Sequence, residues 1–420
     1  MTEPIVMFSP LPPRKSGIAS YTAELLPALC ARRPVVVVCE EGASPEVMAE
    51  LPPCGDRLRV ITPAQHEAEP ALHALRTYYQ IGNNRDHVFV YEAFRRRPDI
   101  LVQHDFNLHY LLDDATLARG DVDGYQRVMT EEYGSAGAQL AKLRHLGLFS
   151  EAQKLALPVN RHLMHQARQV IVHSQWVFER LAADFRSRTL MLPHHYSPLV
   201  STVEGLGAAE ARDRLGLPRD KFLVLSLGFI TPPKQIQATL AALARLRQRG
   251  VDFHFVIAGE RNPSFDIDAH ISRHGLEDRV TVTGYLPESA FFEYIAAADC
   301  LVNLRHPTVG ESSGTLARSL ALGLPAIVHN FGPSSEFPDE VVIKVPLELG
   351  EPVALAAALD TLIHNPEQRR VRGQAAREYM RGTCSIEHSA DAYLSALDPV
   401  SSAPAQAPAR KPGLLGRLMG

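Results

Sequence analysis

Short runs of β-branched residues alternate with helix-patterned segments almost from end to end, and that alternation leaves this chain few folds. In the first half the strand runs are Ile5–Ser9, Val35–Cys39, Arg59–Thr62, Val88–Tyr91, Ile100–His104 and Gln169–His173, with Thr189–Leu192 a weaker one. In the second half they are Phe222–Leu227, His254–Ala258, Val280–Thr283, Cys300–Leu304, Pro325–His329 and Val341–Val345. Several are continuous apolar runs, as strands covered on both faces require. Between them, Ile236–Arg249 carries Ile236, Leu240, Leu243 and Leu246 at helical spacing. Such alternation predicts an α/β chain with doubly wound parallel sheets.

At 420 residues the chain is too long for one ordinary domain. A polar, Gly-containing stretch near Pro198–Gly216 separates residues 1–200 from 212–385, so two Rossmann-like domains facing across a cleft are expected. The segment 105–158 departs from the alternation. It is helical, rich in Tyr, His and charge, and follows a strand end, so it is expected as an insertion beside the cleft. Residues 398–420 shift to Ser, Ala and Pro and read as a disordered tail.

A formal net charge of -4 argues against a nucleic-acid partner. Five scattered cysteines lack metal-ligand spacing and read as reduced thiols, which points to the cytoplasm. MTEPIVMFSP has no charged n-region and no apolar h-region, and no apolar run reaches membrane-spanning length. Peripheral contact with the inner face of a membrane, through the Leu414–Met419 cluster, is the most this composition allows.

Chemistry concentrates at strand ends. Asn303–Pro325 reads as a strand end, the loop Gly310-Glu311-Ser312-Ser313-Gly314, a helix from Thr315, and a Gly-x-Pro entry into the next strand. Two glycines admit a ligand close to the backbone. The free N–H groups of the following helix favour an anion such as a phosphate. Glu311 is the odd residue in an anion loop, so it is expected to face another part of the ligand. Lys234 stands at the mouth of the loop opened by Ser226-Leu227-Gly228, where it can reach a phosphate as a point charge; a solvated surface lysine is the alternative. Ser16-Gly17 feeds a helix after the first strand without a dinucleotide or Walker fingerprint. His104 ends a strand, where it can bond a sugar hydroxyl or assist proton transfer. No cluster has zinc spacing, and Asp121 and Asp123 fit a helix cap or solvated turn better than a metal site.

Together these positions resemble the retaining GT-B glycosyltransferases, in particular glycosyltransferase family 4. The likeness runs from Ile5 to about Leu397 and is strongest over Gly228–Lys234, VIAGE at 256–260, VTGYL at 282–286 and Ala298–Pro325. The resemblance implies a C-terminal domain that binds a nucleotide-diphosphate sugar, an N-terminal domain that binds the acceptor, and a final helix, 386–397, crossing back. It implies that Lys234 contacts the donor diphosphate and that Gly284-Tyr285-Leu286 meet the base. Glu311 is placed beside the donor sugar as the first glutamate of an E-x7-E motif, with Ser312, Ser313, Gly314 and Thr315 at the sugar and phosphate. Gly17 reaches the diphosphate and His104 lies near the sugar. Two departures mark a variant branch. Phe229 stands where an arginine usually follows the equivalent of Gly228. The second glutamate is missing, its place taken by Ser319 on direct counting or Arg318 on alignment to Gly323-x-Pro325. Arg318 or Arg305 is then expected to supply the missing diphosphate cation.

The implied activity is transfer of a hexose, with retention, from a nucleotide-diphosphate sugar to a hydroxyl acceptor on a glycan, lipid-linked glycan or protein, in surface-glycan or glycoconjugate synthesis. Glu311 and His104 are the expected catalytic residues, with no cofactor besides the nucleotide-sugar co-substrate and no metal. The alternatives are a non-catalytic sugar-nucleotide-binding or scaffolding protein on the same frame, and a sugar-nucleotide epimerase.

Overall fold

The computed structural model describes residues 3–348 and 350–397. Seven parallel strands build one sheet: β1 (Ile5–Phe8), β2 (Val35–Val38), β3 (Leu58–Ile61), β4 (Thr77–Ile81), β5 (Ile100–Gln103), β6 (Gln169–Val172) and β7 (Thr189–Met191). Six build the other: β8 (Phe222–Leu227), β9 (Phe253–Ala258), β10 (Val280–Val282), β11 (Cys300–Asn303), β12 (Ala326–His329) and β13 (Val342–Val345). Their orders are β3-β2-β1-β4-β5-β6-β7 and β10-β9-β8-β11-β12-β13. Each order reverses once, between β1 and β4 and between β8 and β11. Ligands of open α/β sheets bind beyond the strand ends at such reversals.

Both sheets are covered on both faces, which explains the unbroken apolar runs. In β1, Val6 and Phe8 join one core while Ile5 and Met7 join the core on the opposite face. In β8, Leu223, Leu225 and Leu227 point one way and Phe222 and Val224 the other.

One strand expectation is corrected. Val88–Tyr91 is helical, part of Val88–Arg96, and the fourth strand is Thr77–Ile81. A short apolar run does not reveal its period. Here the buried residues Val88, Tyr91 and Phe94 recur at helical spacing. All five residues of Thr77–Ile81 are buried, including Gln80, whose amide bonds other side chains inside the fold.

The helices that matter for the cleft are α1 (Gly17–Arg32), α2 (Val88–Arg96), α3 (His109–Ala115), α4 (Val122–His145), α5 (Glu151–Ala156), α6 (Gln175–Arg180), α7 (Ile236–Gln248), α8 (Glu288–Ala297), α9 (Gly314–Ala321), α10 (Pro366–Thr383) and α11 (Ile386–Ser395). Helices α3, α4 and α5 occupy the segment after β5. Asp121 caps α4 by accepting the Gly124 N–H at 2.7 Å, which accounts for an acid at that turn. Helix α11 follows the second sheet in sequence but packs on the first. Its Ile386, Ala390 and Tyr393 share a core with Ile5, Met7 and Tyr21. Arg32 pairs with Asp391 at 2.6 Å beside that seam. Residues 398–420, read from composition as a tail, lie outside the described residues. Among the described residues no helix is long and apolar enough to cross a membrane.

Candidate functional site

The C-terminal ends of the two sheets face each other, and the loops beyond them touch. The Asn107 N–H donates to the Val309 carbonyl at 2.8 Å, and Ser312 Oγ donates to the His173 carbonyl at 3.3 Å. Lys15 reaches Glu260 at 2.9 Å and stands 4.1 Å over the Tyr285 ring. The Gln175 and Trp176 N–H groups, at the start of α6, donate to the Glu336 carboxylate from the other domain.

The second-sheet wall is built at the β8/β11 reversal. Gly228 leaves β8 with φ +87°, and a Cβ there would stand 2.7 Å from Lys234 Nζ. Glycine therefore serves both the turn and the close approach of the ammonium. Lys234 is 9% exposed, so it is not the solvated surface lysine that was the alternative. Its ammonium donates to the Leu227 carbonyl. Burial and the Arg305 charge hold it well below its ordinary value. Phe229, by contrast, is exposed.

Beyond β11, Gly310 has φ +84°, and a Cβ would meet Phe106 Cβ at 2.4 Å. This loop is seated directly against the first domain. Glu311 Oε2 accepts from Thr308 Oγ1 at 2.7 Å and from the Val309 N–H at 3.0 Å, while Oε1 lies 3.5 Å from Arg305 Nε. Burial pulls the Arg305 guanidinium below its ordinary value and Glu311 partly restores it. Ser313 caps α9 by accepting the Leu316 N–H at 3.3 Å. Asn303, at the end of β11, accepts from Ser313 Oγ and Thr315 Oγ1, both at 3.3 Å. Its Nδ2 is buried and has no hydrogen-bond partner among the described residues. A buried unpaired donor costs about 1–3 kcal/mol, a cost that a bound acceptor recovers. Gly284 turns with φ +78°, which presents Tyr285 to solvent and tucks Leu286 against the second-sheet core.

The first-sheet wall is unusually rich in imidazole. Gly17 begins α1 behind the Ser16 cap, and a Cβ there would meet nothing within 4 Å. His104 Nε2 lies 2.7 Å from Gln80 Oε1, an acceptor, so Nε2 carries the proton. Burial and the neighbouring His173 drive His104 well below its ordinary value, so it is uncharged at neutral pH. As a neutral ring it can hydrogen-bond a sugar hydroxyl. His173 lies 4.6 Å from it, centroid to centroid, and burial brings His173 down to about 4. Tyr21 packs against His104, His173, His194 and His195. Among the described residues no group of three or more His, Cys, Asp or Glu side chains is placed to hold a metal ion. Asp105 faces Glu311. Burial and that carboxylate raise Asp105 to about 7, although its Oδ2 takes the Asn83 N–H at 2.6 Å.

Arg318 stands elsewhere than expected. Its Nη2 donates to Glu24 Oε1 at 2.5 Å, across the domain boundary, and to Glu288 Oε1 at 3.0 Å. Two carboxylates already neutralise it, which corrects the expectation that it supplies a diphosphate cation. Of the two candidates, only Arg305 neighbours Lys234. Burial pushes the Glu24 carboxyl up, but the Arg318 charge and the nearby His195 outweigh burial and hold it at about 2. Sequence reading missed Asn303, Asp105, Glu24, His173 and His194. For Asn303, His173 and His194 the available signal was position, since each sits at or just beyond the C-terminal end of a parallel strand.

Residues 208–379 match the family model described as "Glycosyl transferases group 1". The chain is 27% identical over 184 residues to alpha-D-kanosaminyltransferase of Streptomyces kanamyceticus, covering 44% of this chain and 47% of that one. It is 26% identical over 325 residues to D-inositol 3-phosphate glycosyltransferase of Thermomonospora curvata, covering 73% and 69%. The chain spans about half the length of the first curated relatives it matches. Sucrose-phosphate synthase from Thermosynechococcus elongatus superposes with a TM-score of 0.64 at 20% identity, covering 94% of this chain and 98% of that one. HepE from Anabaena, solved with UDP and glucose, gives 0.60 at 17% identity, covering 93% and 99%. The matched segment is thus set within a GT-B fold.

Proposed function

We propose that this chain is a retaining glycosyltransferase of family 4, moving a hexose from a nucleotide-diphosphate sugar to a hydroxyl acceptor in glycan or glycoconjugate synthesis. The observation that carries the reading is the convergence at the β8/β11 reversal. A buried lysine, the start of α9 and the unpaired Asn303 amide meet there, and all three favour an anion with oxygen acceptors. The relatives' names speak for sugar transfer, and HepE was solved with UDP and glucose.

In this reading the diphosphate lies over Ser313–Thr315, with Lys234 and Arg305 behind it and the Gly17 turn across from it. Gly284–Leu286 meet the base. The arriving anion stabilises the Lys234 ammonium, because an opposite charge offsets the effect of burial. The bond from sugar C1 to the phosphate oxygen breaks as the acceptor oxygen bonds C1 on the same face. The acceptor proton passes to the departing diphosphate oxygen. Fixed N–H dipoles and the two cations stabilise the charge that develops there. Glu311 Oε1 orients the sugar and offsets positive charge at the ring, while neutral His104 bonds a sugar hydroxyl. The acceptor enters beside α3, α4 and α5. The protein works in the cytoplasm, with at most peripheral membrane contact, and needs no cofactor beyond the donor.

A thermal-shift screen with UDP, GDP, ADP and their hexose derivatives tests this. One nucleotide should raise the melting temperature with concentration, as a ligand of the native state must. Transfer to a glycan acceptor, read by proton NMR, should give a product with the donor's anomeric configuration. No shift with any nucleotide, or an inverted product, overturns the reading.

A further inference from the structure

Three adjacent parallel strands each run out into a histidine: His104 after β5, His173 after β6 and His194 just beyond β7. Of these, His194 is the one that meets α9. Its Cε1 and Nε2 lie 3.5 and 3.6 Å from where a Cβ on Gly314, the first residue of that helix, would stand. Nδ1 is 2.6 Å from the His195 carbonyl oxygen. A carbonyl only accepts, so Nδ1 carries the proton of the neutral ring and Nε2 presents a bare lone pair. Burial first, then His195 and His173, bring this imidazole down to about 3, so it is neutral in the empty cleft. The groups facing it are His173, His195 and Tyr21, with Glu24 the nearby carboxylate.

A bare lone pair beside a helix start opposes an anion unless the ring takes up a proton. A second feature points to an anion at the same place. Asn303 is 6% exposed, its Oδ1 accepts the Ser313 and Thr315 hydroxyls, and its Nδ2 is unpaired. We propose that His194 binds the donor's phosphate as imidazolium, taking a proton from solvent onto Nε2 as the phosphate arrives at the start of α9. One N–H bond forms and no other bond changes. Nε2–H then donates to a phosphate oxygen, and the proton returns to solvent when the diphosphate leaves. This rests on the donor reading of the cleft.

Linkage sets the signature. Between the free and bound pKa values of His194, diphosphate affinity falls about tenfold per unit rise in pH. Calorimetry of the full chain with UDP, GDP and ADP in turn, in PIPES and in Tris at pH 7, measures the proton count. The parent chain should take up a proton on binding. His194→Gln keeps a neutral donor and should take up none, binding at least tenfold more weakly at pH 6 with the gap closing by pH 8.5. His173→Gln should retain the uptake, and unchanged circular dichroism shows that each variant is folded. If none of the three nucleotides binds, the donor reading falls and this inference with it. If one binds without proton uptake, or His194→Gln takes up as many protons as the parent chain, the histidine assignment alone is wrong.

Discussion

Replacing Arg318 by methionine should loosen the two domains before it unfolds either. The guanidinium bridges Glu24 of α1 and Glu288 of α8, with the Arg318 and Glu24 side chains 16% and 9% exposed. His195 adds a third group, its Nε2 3.5 Å from Glu24 Oε2. Glu24 falls from an ordinary 4.5 to about 2 despite burial. At about 1.4 kcal/mol per tenfold, that displacement corresponds to roughly 3 kcal/mol held by the ionised carboxylate. Removing one partner of a buried pair costs a similar amount, about 3–5 kcal/mol, because the other charge stays buried without compensation. The carboxyl is depressed in the fold, so its contribution is complete above pH 4.5 and is lost as pH falls toward 2. Trp176, the single tryptophan, packs against Phe106 of its own domain and Phe331 of the other, and its fluorescence reports the interface. Urea titrations at pH 7, followed by fluorescence and by far-ultraviolet circular dichroism, separate domain release from unfolding. Arg318→Met should move the fluorescence transition to lower urea by about 3 kcal/mol and leave the dichroism transition behind. Glu24→Gln with Arg318→Met should recover more than about 1 kcal/mol of that loss, since no stranded charge remains. A single variant within about 0.5 kcal/mol of the parent chain, or strict additivity in the pair, would refute the latch.

Two further outcomes follow from the buried charges. Lys234→Met removes an ammonium that burial already disfavours, so the melting temperature of the free protein should hold or rise, while the shift produced by a nucleoside diphosphate disappears. A lower melting temperature with an intact nucleotide shift would make Lys234 structural. Asp105 is raised from 3.8 to about 7, so the parent chain has this group's full stability below pH 3.8 and loses it as pH rises through 7. Asp105→Asn keeps an oxygen for the Asn83 N–H without the charge. The variant should therefore gain on the parent chain between pH 4 and pH 8 in melts across that range, and a constant difference would show that Asp105 does not ionise in the fold.

The two parallel sheets were legible because strands covered on both faces must be apolar throughout, as in Val35–Val38 and Phe222–Leu227. The missed strand, Thr77–Ile81, carries Thr, two tyrosines and Gln. Its burial depends on partners such as His104 and Tyr393, which are remote in sequence. The turns at Gly228 and Gly310 were legible for a related reason. Glycine at a tight approach is a local requirement, written in adjacent residues.

What the sequence alone determined about this protein is therefore whatever a single strand, turn or helix start can impose: the α/β class, the two halves, and the loops after β8 and β11. What only the tertiary structure decided is which charges meet. Arg318 is drawn to Glu24, 294 residues away. Three strand-end histidines gather on Tyr21, and the β11 loop seats on Phe106. Charge pairing and desolvation depend on distances of a few ångströms between groups that chain order does not relate. The role of an arginine or a histidine is thus settled only when the two sheets face each other.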